Sequence, residues 1–398
     1  VGLKKLALRL AIQKAAREGW LAEHMFVMGA HGPNDRVTYF TGAFPSACGK
    51  TSTSMIKGQT IVGDDIAYLR NIDGQAKCVN VEKGIFGIIR DVNTEDDPVI
   101  YEALTTPGEV IFSNVLVGAD NNPYWLGMGR EIPDKGCNYS GEWEKGKKDD
   151  NGKEITPSHK NARYCLNIAD LKNRDCRADD SAGVPIGGVI YGGRDSDTWV
   201  PIEQAFSWEE GILIKGASIE SETTAATLGQ EGVRKFNIMS NMDFLSVPMG
   251  SYIQSNLDFA GDLEDVPLVF SVNYFLKDEQ GSYISDISDK KVWILWAEKR
   301  VHGEVEALKT PTGYIPLYDD LKSLFAEHLD KEYTKESYVR QFTVRIPENL
   351  SKLDRVEKIY REQKSDIPQV LFDTFDKVRK RLESLKQEKG EAVSPFDL

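Results

Sequence analysis

No stretch of the sequence stays apolar for the roughly 18 residues that a membrane-spanning helix requires, so no membrane partner is expected. A disulfide pattern is missing too. The five cysteines, Cys48, Cys78, Cys137, Cys165 and Cys176, are odd in number and include no CxxC pair. That usage fits a reducing, cytoplasmic setting better than a disulfide framework. The opening residues lack the pattern of a secretory signal. There is no excess of positive charge, and the formal net charge is -13. A nucleic-acid partner is therefore not expected, because backbone phosphates demand a basic surface. An acidic whole can still hold a local basic pocket, which keeps small phosphorylated ligands open. No internal repeat is present.

What is there reads as a globular protein, with 40% hydrophobic and 28% charged residues. At 398 residues the chain exceeds the usual single-core limit, so one large α/β unit with insertions, or two packed lobes, is expected. Apolar spacing predicts a helix over 3–18 ended by Gly19, then a strand from Met25 to Met28. That first helix is already under way at Leu3 and Val1 is not a methionine, which predicts that residues precede Val1. A β-branched and aromatic strand over 37–44 leads into Ala47-Cys48-Gly49-Lys50-Thr51-Ser52, followed by a helix from Lys50 to Ile56. A buried strand over 60–63 stops at Asp64-Asp65. Further strands are expected over 185–192, 211–214 and 266–275, and the polar run 133–160 reads as an exposed excursion. Residues 1–325 form the expected catalytic lobe, and 326–398 a helical region packed on it. The fold class is α/β with a mixed sheet and its site at the strand ends.

The chemistry begins at Gly49-Lys50-Thr51. A glycine and a lysine between strand and helix bring backbone N–H groups around phosphate oxygens. Lys50 would bridge the terminal phosphates and the Thr51 hydroxyl would ligate Mg²⁺. The generic loop needs a glycine where this chain has Phe44; the nearest earlier glycine is Gly42. Asp64 and Asp65 end the next strand, where carboxylates hold metal ions directly or through water. Adjacent residues point to different sides, so two ions are possible. His24 is a possible ligand between helix and strand, although a lone histidine is more often structural. Arg163, in Asn161-Ala162-Arg163, and Arg194, in Gly192-Gly193-Arg194, suit bidentate phosphate recognition. The small, polar segment 220–227 suits a lid that closes over a site.

Together these residues resemble the GTP-type phosphoenolpyruvate carboxykinase family. Phe44 through Thr51 looks like its cysteine-containing kinase loop. Glu23-His24-Met25, Gly63 through Ala67, Asn161-Ala162-Arg163, Gly192-Gly193-Arg194 and Thr310 through Pro316 follow in the family's order. The resemblance implies interconversion of oxaloacetate with phosphoenolpyruvate and CO₂, with a polyphosphate as phosphoryl donor. It implies a Mn²⁺ held by Lys4, His24 and Asp65, the lysine as a neutral amine, and polarising the oxaloacetate carbonyl. Asp64 with Thr51 would serve the Mg²⁺ of the donor. Ser46 would lie near Mn²⁺ and substrate, Cys48 matches the reactive loop cysteine, and Phe86 an aromatic near the substrate. Arg163 and Arg194, with Asn161, would hold the transferred phosphoryl group.

Two departures shape the remaining expectations. The family's substrate-binding N-terminal lobe precedes the position of Val1, so that lobe is expected as a separate or missing segment. The guanine pocket also departs. Phe244 is a plausible base-stacking residue, but Met249 stands where an aromatic belongs. The family's Trp-Pro-Gly-Phe-Gly-Glu-Asn run is not kept at Tyr283 through Asp289. Phosphate-binding residues without base-binding ones favour pyrophosphate as donor, with GTP as the alternative. A phosphate-binding regulatory module without turnover is the reading from another class.

Overall fold

Eleven strands, most of them rich in β-branched and aromatic residues, build one mixed sheet. They are β1 (Leu21–Glu23), β2 (Met25–His31), β3 (Val37–Ala43), β4 (Thr60–Gly63), β5 (Ala67–Ile72), β6 (Gln75–Asn80), β7 (Val184–Gly192), β8 (Ile202–Gln204), β9 (Leu268–Val272), β10 (Ala307–Lys309) and β11 (Tyr314–Pro316). The computed structural model describes residues 2–46, 48–223, 232–364 and 366–398. It divides into two units. The first comprises Val1–Ser54, Thr60–Val81 and Asp175–Leu398, and the second Met55–Gln59 and Glu82–Arg174. All eleven strands belong to the first. No helix among the described residues is long and apolar enough to cross a membrane.

The central strand is β7. It runs parallel to β3, with Tyr191 opposite Ala43, and parallel to β9, with Gly192 opposite Val272. Parallel strands are covered on both faces and so read as continuous apolar runs; Val189, Ile190 and Tyr191 are all buried. Strand β2 lies antiparallel between β3 and β4, with Met25 opposite Ala43 and Val27 opposite Gly63. The carboxyl ends of β3, β4, β7 and β9 and the beginning of β2 therefore share one edge. In open α/β sheets that edge is where ligands bind.

The first helix, α1 (Gly2–Glu18), packs Leu8, Ala11, Ile12 and Ala15 against Trp20, Ala22 and Ile66. Gly19 ends it at φ +72°, the left-handed conformation glycine adopts without strain. The helix after the phosphate loop, α2 (Lys50–Ser54), stops two residues short of the expected Ile56. Residues 211–214 were expected as a strand. They form instead a wide helical turn, Gly211–Gly216, with the Ala217 N–H donating to the Ile212 carbonyl at 2.7 Å. A short apolar run fits a buried helix as well as a strand. Here Gly211 fits against Val269, which leaves no room for a Cβ.

The C-terminal helices do not stand apart. Helices α3 (Ile346–Arg361) and α4 (Gln369–Lys389) belong to the first unit and share its core through Leu353, Val356, Phe375 and Val378. Tyr360 donates to the Ala217 carbonyl at 2.7 Å, and Arg355 holds Glu220 at 2.7 Å.

In the second unit, Arg163–Asn167 lies between Gly84–Ile88 and Val110–Ser113 in an antiparallel sheet. The run 133–160 is not a bare excursion. It contains the hairpin Lys135–Asn138 with Gly141–Glu144, part of a four-stranded sheet. Trp143 pins it by donating to the Ile155 carbonyl at 2.7 Å. Polar composition concealed the hairpin because one buried side chain carries its packing.

A Cβ on Gly192 would meet the Phe44 ring at 2.1 Å. Replacing Gly192 by alanine is expected to destabilise the chain by about 1–3 kcal/mol through overpacking. Chemical denaturation checks this; an unchanged midpoint would mean that Phe44 can retreat without cost.

Candidate functional site

Phe44 explains why the loop departs from the generic spacing. Its side chain is fully buried, 5.7 Å from Phe26 and 6.2 Å from Tyr274, in the space that Gly192 leaves open. An aromatic anchor thus stands where the generic loop has a flexible glycine. Ser46 is exposed at the loop, and Ala47 lies outside the described residues. Gly49 takes φ +94° with Tyr274 close by, which favours glycine. Lys50, Thr51 and Ser52 then open α2, and Ser52 contacts Lys290. Cys48 is buried with its sulfur 2.9 Å from the Ser221 hydroxyl, and burial pushes its thiol up. The loop cysteine is therefore a protonated thiol that ties the loop to the strand Glu220–Glu222.

The two aspartates after β4 take separate partners. Asp64 is buried and accepts from the Thr51 and Ser54 hydroxyls, both at 3.3 Å. Asp65 receives Lys4 from α1 and Lys50 from the phosphate loop, and lies 2.8 Å from His24 Nε2. The sequence-derived set Lys4, His24 and Asp65 is thus brought together, with Lys50 beside it.

The protonation of His24 tests whether this set fits a metal ion. Burial holds the imidazole well below its ordinary value, and the nearby Lys50 and Lys4 act in the same direction. The ring is therefore neutral. Its Nδ1 lies 2.9 Å from the Ser240 carbonyl, an acceptor only, so Nδ1 carries the proton. The Nε2 lone pair then faces an Asp65 oxygen at 2.8 Å. Two acceptors at that separation require a cation between or beside them. A backbone carbonyl fixing the tautomer of a metal-binding histidine is the usual arrangement. The residues fit a divalent ion, with the Lys4 nitrogen as third donor. Among the described residues no three His, Cys, Asp or Glu side chains cluster, so the candidate centre is a mixed one.

Arg194 follows β7. Its guanidinium lies 3.6 Å over the Phe275 ring and donates to the Tyr283 hydroxyl at 2.9 Å. Phe275 and Tyr283 face each other edge-on at 6.0 Å. The sequence reading missed this aromatic pair. Its signal was the run Asn273-Tyr274-Phe275, which directly follows β9, whose end is level with that of β7. Phe244, expected to stack a base, lies against the His24 ring at 4.7 Å, and the Lys5 ammonium is 5.8 Å from its centroid. Met249 is buried at the start of the helix Met249–Asp258 and belongs to the core.

In the second unit, Arg163 donates to Asn161 at 2.9 Å and lies 5.5 Å over the Phe86 ring. The first part of the expected lid, Glu220–Glu222, pairs with Arg234–Phe236 as a hairpin base, while residues 224–227 lie outside the described residues. Glu222 accepts from the Ser196 hydroxyl at 2.6 Å, which ties the hairpin to the loop after Arg194.

Comparison with known proteins gives one consistent result. The model of a family described as phosphoenolpyruvate carboxykinase C-terminal P-loop domain matches residues 20–381. A relative from Pyrococcus abyssi is 55% identical over 399 residues, covering 100% of this chain and 64% of its own length. Relatives from Saccharolobus solfataricus and Chlamydia abortus are 44% and 32% identical, over 100% and 97% of this chain and 64% and 63% of their own lengths. The chain thus spans less than two thirds of the length of these relatives. All three are named phosphoenolpyruvate carboxykinase [GTP]. That name runs against the preference for pyrophosphate and favours the GTP alternative.

Asp65 is a counter-ion shared by Lys4 and Lys50. Its replacement by asparagine is expected to destabilise the metal-free chain by about 2 kcal/mol, below the range for fully buried pairs because these side chains keep some solvent contact. Urea denaturation measures the change, and an unaltered stability would show that the cluster is not held by charge.

Proposed function

The chain belongs to the GTP-type phosphoenolpyruvate carboxykinase family, and from that premise we propose that it carries the metal- and nucleotide-binding part of a carboxy-lyase. The reaction is the interconversion of oxaloacetate and GTP with phosphoenolpyruvate, CO₂ and GDP. The observation that carries this reading is the convergence of Lys4, His24 and Lys50 on Asp65 at the sheet edge where the phosphate loop ends.

In this reading Lys4, His24 and Asp65 hold Mn²⁺, and Thr51 and Asp64 attend the Mg²⁺ that accompanies the donor. The ions supply electrophilic polarisation of the substrate carbonyl and neutralisation of phosphate charge. Lys50 exchanges Asp65 for the terminal phosphate oxygens, and the backbone N–H groups around Gly49 cradle the neighbouring phosphate. Arg194 turns from Tyr283 onto the transferred phosphoryl group, where a planar guanidinium gives two parallel hydrogen bonds. Arg163, with Asn161, is assigned to the same group on the sequence resemblance alone. Phe275 and Tyr283 offer the face on which a purine stacks, which supports a nucleoside donor over bare pyrophosphate. The strand Glu220–Glu222 carries the start of the lid and excludes water once the donor is bound.

The decisive measurement titrates GTP, ATP and pyrophosphate with Mn²⁺ present, following both binding and phosphoenolpyruvate formation. GTP is expected to saturate first, with Phe275→Ala weakening GTP by about 1–3 kcal/mol, the usual contribution of base stacking, and leaving pyrophosphate unchanged. Strong pyrophosphate saturation without a GTP response would sink the proposal. A second expectation concerns the metal: His24→Ala should weaken Mn²⁺ binding by at least the roughly 10–100-fold seen when even a supporting residue is lost, read by calorimetry.

A further inference from the structure

The first unit holds a pocket that the proposed reaction does not use. It is a small pocket of about 20 Å³ between α3, α4 and the turn Gly211–Gly216. Trp199, Ile214, Lys215, Asn349, Lys352 and Val378 are among its walls. Lys352 is 4% exposed, yet its ammonium has no hydrogen-bond partner among the described residues. It lies 3.6 Å over the Trp199 ring, and Asp195 Oδ2 is 3.8 Å away, beyond hydrogen-bond range. Asp195 already accepts from the backbone N–H groups of Asp197, Thr198 and Trp199. Lys215 is committed to Glu203, which also accepts from Thr310 and Thr312.

An ammonium has three donors to satisfy, and burying it without acceptors is costly. Asp195 stays beyond hydrogen-bond range, which leaves the Lys352 ammonium open to an acceptor from outside the chain. We propose that this pocket binds a small planar anion of the carboxylate class, formate- or bicarbonate-sized, through Lys352. Asn349 supplies a second donor, since its amide gives only one hydrogen bond here, to the Arg345 carbonyl at 2.7 Å. Ile214 and Val378 close the apolar sides and the near-complete burial of Lys352 admits only a small occupant. The site stands independently of the reaction assigned above. It touches that reaction at one point, because Asp195 directly follows Arg194 and an anion competes with Asp195 for Lys352.

Burial pulls Lys352 down to about 8; Asp195 and Glu220 oppose this, while Lys215 and Arg234 reinforce it. The cationic form needed for the anion is present below that value and is lost as the pH rises through it.

Thermal unfolding of the chain in formate or bicarbonate tests the site, with sodium chloride keeping ionic strength constant. The midpoint should rise saturably, as for any ligand that binds only the folded state. A rise with formate alone narrows the occupant to an organic carboxylate, and one with bicarbonate alone to hydrated CO₂. Lys352→Met and Val378→Phe, which fills the pocket and keeps the lysine, should each weaken the response at least tenfold. In the native chain the formate affinity should fall between about pH 7 and about pH 9, as the lysine loses its proton. The proposal is overturned by the absence of any saturable rise, or by a rise that both variants retain, which would place the anion at the phosphate loop. If the variants fail to fold, a formate response that ignores pH overturns it on the native chain alone.

Discussion

Charge balance around one carboxylate governs the site. Asp65 faces two lysines and a histidine drawn from a helix, a strand end and a loop that are far apart in sequence. The two lysines could not be placed so near each other without it, since like charges at such distances repel strongly in a partly desolvated setting. Burial, reinforced by the nearby lysines, keeps His24 neutral and leaves its lone pair directed at the carboxylate. In the proposed reading a divalent ion would take over the role that the ammonium groups hold in its absence.

The scaffold makes this possible through two close approaches. Gly192 admits the Phe44 ring, and Phe44 fixes the first residues of the phosphate loop at the end of β3. The register of β3 against β7 then places the loop beside Arg194, and the register of β9 places Phe275 beside both. Hydrophobic packing under the loop, rather than the loop's own flexibility, sets where phosphate-facing groups lie.

Much of this was legible in the sequence. The helix ended by Gly19, the strand before the loop and the strand stopping at Asp64-Asp65 follow from periodicity and turn chemistry, and all appear in the fold. Local signals of this kind do not depend on distant partners. The misreadings have physical causes. Residues 211–214 are apolar on every side, so their period carries no information, and the contact with Val269 decides their conformation. The hairpin at 135–144 buries little and so leaves a polar signature. The resemblance directed the search for a base-stacking face to Phe244 and to Tyr283 through Asp289, whereas Phe275 owes its position beside Arg194 to a parallel pairing that no local pattern announces.

The parallel alignment at the sheet edge has a consequence for how such a site can change. Each strand end carries a different group, with Lys50 after β3, Asp64 and Asp65 after β4, Arg194 after β7 and Phe275 after β9. The strands are fixed by the core, while the residues just beyond them are not. Substitution in the segment after β9 can therefore alter Phe275 and its neighbours while the packing of Phe44 under the loop after β3 stays intact.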